Sequence, residues 1–275
     1  MSFNQAVEEG LGRVRTVLAR FGKARQMAGV GQHSRLSGVL SKMRASREAE
    51  AFHFLSANSR LIARWRTYRE AQRIRNRRDG HLFNPLGFFP IGETKHSELL
   101  GFLLKSDASH GQGALFLRSF LKMLDVPCPE KGDWKVTVET GRVDLMIKRT
   151  SPASVIIIEN KSHGAFDQGH QLYRYWYAQI HRWHPRLDYR DEETQRAFQI
   201  IYLPGSEGKV PEAHSLLRPD YLSATLPERI PLTPKLLSFR STIAEWLLTV
   251  QDDIPRENNR LRVYLEFYQE LCRRL

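Results

Sequence analysis

The chain has 275 residues, a hydrophobic fraction of 41% and a formal net charge of +12. That size and apolar content suit one large domain, or one core with an appendage, and exclude a low-complexity chain. No run approaches the roughly 18 apolar residues of a membrane span, and the N-terminus lacks a basic segment followed by an apolar one, so neither a span nor secretion is expected.

Charge is unevenly spread. Residues 1–80 hold 17 Lys/Arg and 6 Asp/Glu, whereas residues 81–275 are close to balanced. A basic N-terminal region beside a neutral remainder points to a polyanion partner, most simply nucleic acid; a solvated basic face is the plain alternative. Cys128 and Cys272 stand far apart and fit no Cys-x-x-Cys or Cys/His spacing. They suggest a reducing, cytoplasmic setting without zinc.

In chain order, Gln5 to Ala28 reads as one or two helices, broken by Gly29-Val30-Gly31. Residues 46–79 lack Pro and Gly and read as one long helix. Leu61, Trp65 and Tyr68 form an apolar stripe, and Arg66, Arg69, Arg73 and Arg77 form a basic one. Guanidinium groups at helical spacing suit a phosphate backbone without base reading; a helix facing a protein partner fits the same pattern. Asp79-Gly80 ends this region, and the main domain is expected over residues 81–275.

Helices are expected over Glu93–Lys105 and Gln112–Leu124, with a loop at residues 106–111 between them. Trp134 to Glu139 alternates and reads as a strand. Two apolar runs, GRVDLMIKR and VIIIENK, follow around a turn at Ser151–Ser154 and read as an antiparallel hairpin. Gly164 stops the third strand, Phe166–Trp183 reads as an amphipathic helix, and Pro185–Gln195 as a loop. Phe198–Leu203 is a further buried strand. The Gly205-Ser206-Glu207-Gly208-Lys209 segment places its lysine too early for a phosphate loop and no helix follows it. Helices from Pro234 to Val250 and from Pro255 to Leu275 close the chain.

The hairpin carries the chemistry. A strand's period of two puts Glu159 and Lys161 on one face and Asn160 on the other. Pairing Arg149 with Val155 sets Asp144 opposite Asn160 or Glu159, and cross-strand neighbours are about 5 Å apart. Two carboxylates that close repel unless a cation lies between them. A hard divalent cation fits, and Lys161 is placed to act on a water or a phosphate. Taken alone, Glu-x-Lys is a common tripeptide and reads first as a strand ending in a surface ion pair of Glu159 with Lys161 or Arg142.

The run GRVDLMI, then IIIENK, then QLYRY resembles the PD-(D/E)XK nuclease superfamily, and HSELLGFLLKSDASHGQGALFLRSFL is similar to the helical lead-in of one bacterial branch. The resemblance implies a restriction-endonuclease-like α/β fold: a mixed sheet flanked by helices, in core order α-β-β-β-α-β. It implies Asp144 and Glu159 as metal-binding acids, joined by the Asn160 carbonyl and by Glu98 on the first core helix. Lys161 is the implied catalytic lysine, Gln171 a supporting residue and Tyr175 a weaker match. The proline of the family's name is absent, since Val143 precedes Asp144. The implied activity is Mg²⁺- or Mn²⁺-dependent phosphodiester hydrolysis, with DNA ranked ahead of RNA, in defence or mobile elements. A nucleic-acid-binding or assembly subunit without hydrolysis is the competing expectation.

Overall fold

The computed structural model describes residues 33–80 and 82–275, so the helices expected between Gln5 and Ala28 lie outside the described residues. Two compact units divide between Leu82 and Phe83.

Among the described residues the first unit presents one helix, α1 (His33–Asp79). It runs 13 residues further upstream than expected, through Gly38, because a single glycine costs a helix only about 1 kcal/mol. Gly80 ends it in a left-handed conformation (φ 63°). Leu61, Trp65 and Tyr68 are exposed.

The second unit is a mixed five-stranded sheet with helices on both faces. Helices α2 (Glu93–Leu104) and α3 (Leu115–Met123) precede strands β1 (Trp134–Thr140), β2 (Val143–Arg149) and β3 (Ser154–Lys161). Then come α4 (Gln171–Trp176), which runs into a π-helical turn, and α5 (Glu192–Ala197). Strands β4 (Phe198–Pro204) and β5 (Lys235–Leu236) lead to α6 (Ala244–Gln251) and α7 (Asn259–Arg274). Strand order follows the chain. The β1–β2 and β2–β3 pairs are antiparallel, β3–β4 and β4–β5 parallel. This is the mixed α/β architecture of a restriction-endonuclease-like core.

Every residue of β3 is buried. Ile156 and Ile158 pack with α2, α3, α6 and α7, while Val155 and Ile157 pack with α4. Each such side chain contributes about 1.5–3 kcal/mol by leaving water. Periodicity explains the flanking helices: α3 buries Phe116, Leu117, Phe120 and Leu121, and α7 buries Leu261, Leu265, Tyr268 and Cys272. Arg149 closes the far end of β2, donating to the carbonyls of Pro127, Cys128, Lys131 and Pro152 while lying over the Trp134 ring.

Three boundaries differ from expectation. The helix expected from Phe166 begins only at Gln171, because Gly164 (φ 75°) and His170 (φ 56°) adopt left-handed conformations that break a helix. The residues between form a strap across the end of β3. The segment expected to be a loop up to Gln195 contains the start of α5, where Asp191 accepts from the Thr194 N–H and caps the helix. Pro234 opens no helix. Lys235 and Leu236 pair with β4, and Ser238 caps the next helical turn from the other side.

Gly101 sits where α2 crosses the sheet. A methyl there would collide with Val138 Cγ2 and lie 3.0 Å from Leu145 Cδ1. Gly101→Ala is therefore expected to destabilise the unit by about 1–3 kcal/mol, read as a lower urea midpoint with an unchanged slope. A midpoint equal to the wild type's would show that the helix slides freely on the sheet.

Candidate active site

Leu145 pairs with Ile158, which sets Asp144 across from Glu159 at the next position of the ladder. Both acids and Lys161 project on the α4 face, and Glu159 and Lys161 are buried. Lys161 Nζ lies 2.9 Å from Glu159 Oε1 and 3.5 Å from Asp167 Oδ1. It also donates to Gln171 Oε1 (3.4 Å) and to the Phe166 carbonyl (3.2 Å).

Gln171 Nε2 donates to Glu159 Oε1 at 2.8 Å and to the Tyr175 hydroxyl at 3.0 Å, and that hydroxyl donates to the Arg142 carbonyl. One oxygen of Glu159 is thus held by lysine and glutamine. The other, Oε2, is buried and has no hydrogen-bond partner. On the opposite face, Asn160 Nδ2 donates to the Glu93 carbonyl (2.6 Å) and to Ser97 Oγ (3.0 Å) on α2, while the Asn160 N–H donates to Asp144 Oδ2 (2.7 Å).

Burial, then the nearby Asp144 charge, pushes the Glu159 carboxyl up to about 8, against the pull of Lys161. Burial raises Asp144 to about 6 despite the Asn160 N–H. For Lys161, burial works against the charge but is outweighed by Glu159 and Asp167, and the net shift is upward. Two carboxyls held this far from their ordinary range, one with an orphaned oxygen, form a site short of positive charge.

Hard-oxygen donors and the orphaned Oε2 fit a divalent cation such as Mg²⁺, which takes one or two protein carboxylates and keeps its waters. Among the described residues no three His, Cys, Asp or Glu side chains form a ready-made metal cage. The Glu98 carboxylate meets Lys95 Nζ at 2.5 Å, and its charge raises the carboxyl of Glu139, which in turn acts on Asp144. The α2 acid whose charge acts on Asp144 and Lys161 is Glu93. Five helical positions separate the two, which turns Glu98 about 140° around the axis. Arg66, Arg69, Arg73 and Arg77 lie exposed on α1, with Arg69 over the Trp65 ring and Arg73 near Glu70.

Three acids at the site went unread in the sequence. Glu93 Oε1 accepts from the N–H groups of His163 and Ala165 and ties the strap down. Glu139, in a left-handed conformation before the β1–β2 turn, adds negative charge beside Asp144. Asp167 falls inside the helix expected from Phe166; Gly164 and Gly169 on either side of it are the available signal for a loop.

A family model described as the PD-(D/E)XK nuclease superfamily matches residues 83–269. That span is more than half of the chain, and the chain belongs to this superfamily. Comparisons with curated proteins and with solved structures return no match.

Proposed function

We propose that the protein is a metal-dependent nuclease that hydrolyses phosphodiester bonds in nucleic acid. The observation that carries this reading is the buried Asp144–Glu159 pair with an orphaned Glu159 oxygen and Lys161 in contact. Asp144 and Glu159 would hold Mg²⁺ or Mn²⁺, with the Asn160 carbonyl as a third donor and Glu98, whose exposed carboxylate meets Lys95, as an outer acid. Bound there, the cation supplies Lewis acidity and lowers the pKa of water. Lys161 directs its ammonium toward the attacking water or the phosphate charge. Gln171 holds the Glu159 carboxylate in one rotamer, and Tyr175 buttresses Gln171.

DNA is favoured over RNA; the cysteine usage favours a reducing, cytoplasmic setting, and the family resemblance favours a role in defence or a mobile element. No helix among the described residues is long and apolar enough to cross a membrane. The deciding experiment is cleavage of labelled single- and double-stranded DNA and RNA with Mg²⁺, Mn²⁺ or EDTA. Cutting with either metal and none in EDTA supports the reading; cutting that ignores EDTA sinks it.

The exposed arginines of α1 favour a second reading, a nucleic-acid-binding or assembly subunit without hydrolysis, in which α1 meets nucleic acid or a protein partner. In either case, replacing Arg66, Arg69, Arg73 and Arg77 by Gln is expected to weaken nucleic-acid binding for all sequences alike. The slope of log Kd against log salt falls by about 3 to 4 if each arginine meets one phosphate. A salt titration by fluorescence anisotropy measures it, and an unchanged slope assigns the stripe to something other than phosphate.

A further inference from the structure

We infer that Asp167 is the positioning residue for Lys161: it is the carboxylate that keeps the ammonium in place once a divalent cation draws on Glu159. The inference rests on the nuclease reading above and adds a residue to the same site.

Lys161 has two anionic partners, Glu159 at 2.9 Å and Asp167 at 3.5 Å. Only one of them has an oxygen to spare. Glu159 Oε2 is buried and unpartnered, so Glu159 is the acid with a free donor atom. Both Asp167 oxygens are already engaged: Tyr202 Oη donates to Oδ1 at 3.0 Å and the Glu212 N–H to Oδ2 at 2.8 Å. The clamp is reciprocal, because the Asp167 N–H donates to Glu212 Oε1 at 3.4 Å. His214 Nε2 lies 3.2 Å from the Asp167 carbonyl.

Asp167 is therefore held from β4 through Tyr202 and from the segment after β4 through Glu212. Its side chain is 1% exposed. A carboxylate buried to that degree is costly unless it is paired and hydrogen-bonded. Among the described residues, the cation paired with it is Lys161. A cation on Glu159 competes with the lysine for that acid's charge. Without a second counter-ion, a flexible four-carbon ammonium would be repelled by the metal and lose its orientation. Asp167 prevents this, and the neighbouring Phe166 carbonyl adds a neutral acceptor on the same side. The left-handed conformations of Gly164 and His170 let the strap place both groups beside the lysine.

The test uses full-length protein labelled with ¹⁵N-lysine, with the Lys161 ammonium cross-peak assigned by its loss in Lys161→Met. In the wild type the peak persists when Mg²⁺ saturates the site. In Asp167→Asn it is present in EDTA, held by Glu159, and disappears with Mg²⁺. The same variant is expected to lose about 10–100-fold in kcat, with KM and the half-saturating Mg²⁺ concentration unchanged. In a Lys161→Ala background Asp167→Asn adds no further loss, since it acts through the lysine.

A peak that survives Mg²⁺ in Asp167→Asn, or losses that add in the double variant, overturns the inference and leaves the nuclease reading standing. A wild-type protein that neither binds Mg²⁺ nor cleaves nucleic acid overturns both. Should Asp167→Asn fail to fold, Tyr202→Phe decides, because it frees Asp167 Oδ1 and leaves its charge. It is expected to lower kcat by about three- to tenfold at constant KM; no change overturns the inference.

Discussion

Asp144→Asn and Lys161→Ala are each expected to lower single-turnover cleavage by about 10²–10³-fold, the loss typical of removing one group aimed at charge that develops in the transition state. The two variants should fail differently. Asp144 faces Glu159 across the hairpin, so its neutral amide weakens metal binding, and excess Mn²⁺ recovers part of the activity. Lys161 contacts Glu159, Asp167, Gln171 and Phe166. Its removal leaves two buried carboxylates without their cation, so metal binding is retained or tightened while the chemical step is lost. Both variants should still bind nucleic acid, with α1 untouched. Measuring cleavage and anisotropy on the same substrate checks this. A Lys161→Ala protein that cuts at the wild-type rate would remove the lysine from the mechanism, and one that no longer binds would make it a substrate contact instead.

The second large effect concerns stability. Without metal, Glu159 carries a carboxyl raised from 4.5 to about 8 by burial and by Asp144. Between those values the folded chain binds a proton that the unfolded chain does not. The contribution is therefore fully present below about pH 4.5 and is lost as pH rises through about 8. Across that window the metal-free protein should lose about 1.4 kcal/mol per pH unit from this group, or roughly 2–5 °C in Tm per unit. Glu159→Gln removes this share and leaves that of Asp144, which is raised to about 6 and acts only below that pH. His96 acts in the opposite sense: burial, then His163, lowers its imidazole to about 4, so it favours the fold as pH rises above that value. His96 is common to both proteins and cancels in their difference. Added Mg²⁺ should restore wild-type Tm at pH 8 and change little at pH 5, because only the ionised carboxylates hold it. Melting curves in EDTA that run parallel for wild type and Glu159→Gln would refute the raised carboxyl.

Both expectations depend on a juxtaposition that was largely legible before the fold was known. The apolar run of β3 marked a central strand, and the period of two assigned Glu159 and Lys161 to one face and Asn160 to the other. A short turn between two β runs set their register to within one residue. These are local properties, dictated by backbone geometry and by which side chains avoid water. The same logic located α2, α3 and α7 within a few residues, since their apolar stripes bury against the sheet.

The misplaced elements were decided by contacts distant in sequence. Lys235 and Leu236 follow a proline that suits a helix start, yet β4 offers an open edge and takes them as a strand. The strap before α4 reads as amphipathic, but its polar residues are drawn onto Lys161, Tyr202 and Glu212. Glu93 and Glu98 share one helix and are equally plausible from the sequence. The way α2 packs on the end of β3 sets Glu93 against Asn160 and the strap, while Glu98 meets Lys95 and acts on Glu139.

From the sequence by itself came the hairpin, its two facing acids, the lysine and the basic character of α1, because periodicity and charge are written residue by residue. Tertiary structure alone decided that one Glu159 oxygen stands without a partner, that Asp167 shares the lysine, and which acid of α2 approaches. Those depend on burial and on distances between segments that lie tens of residues apart, and no local pattern encodes them.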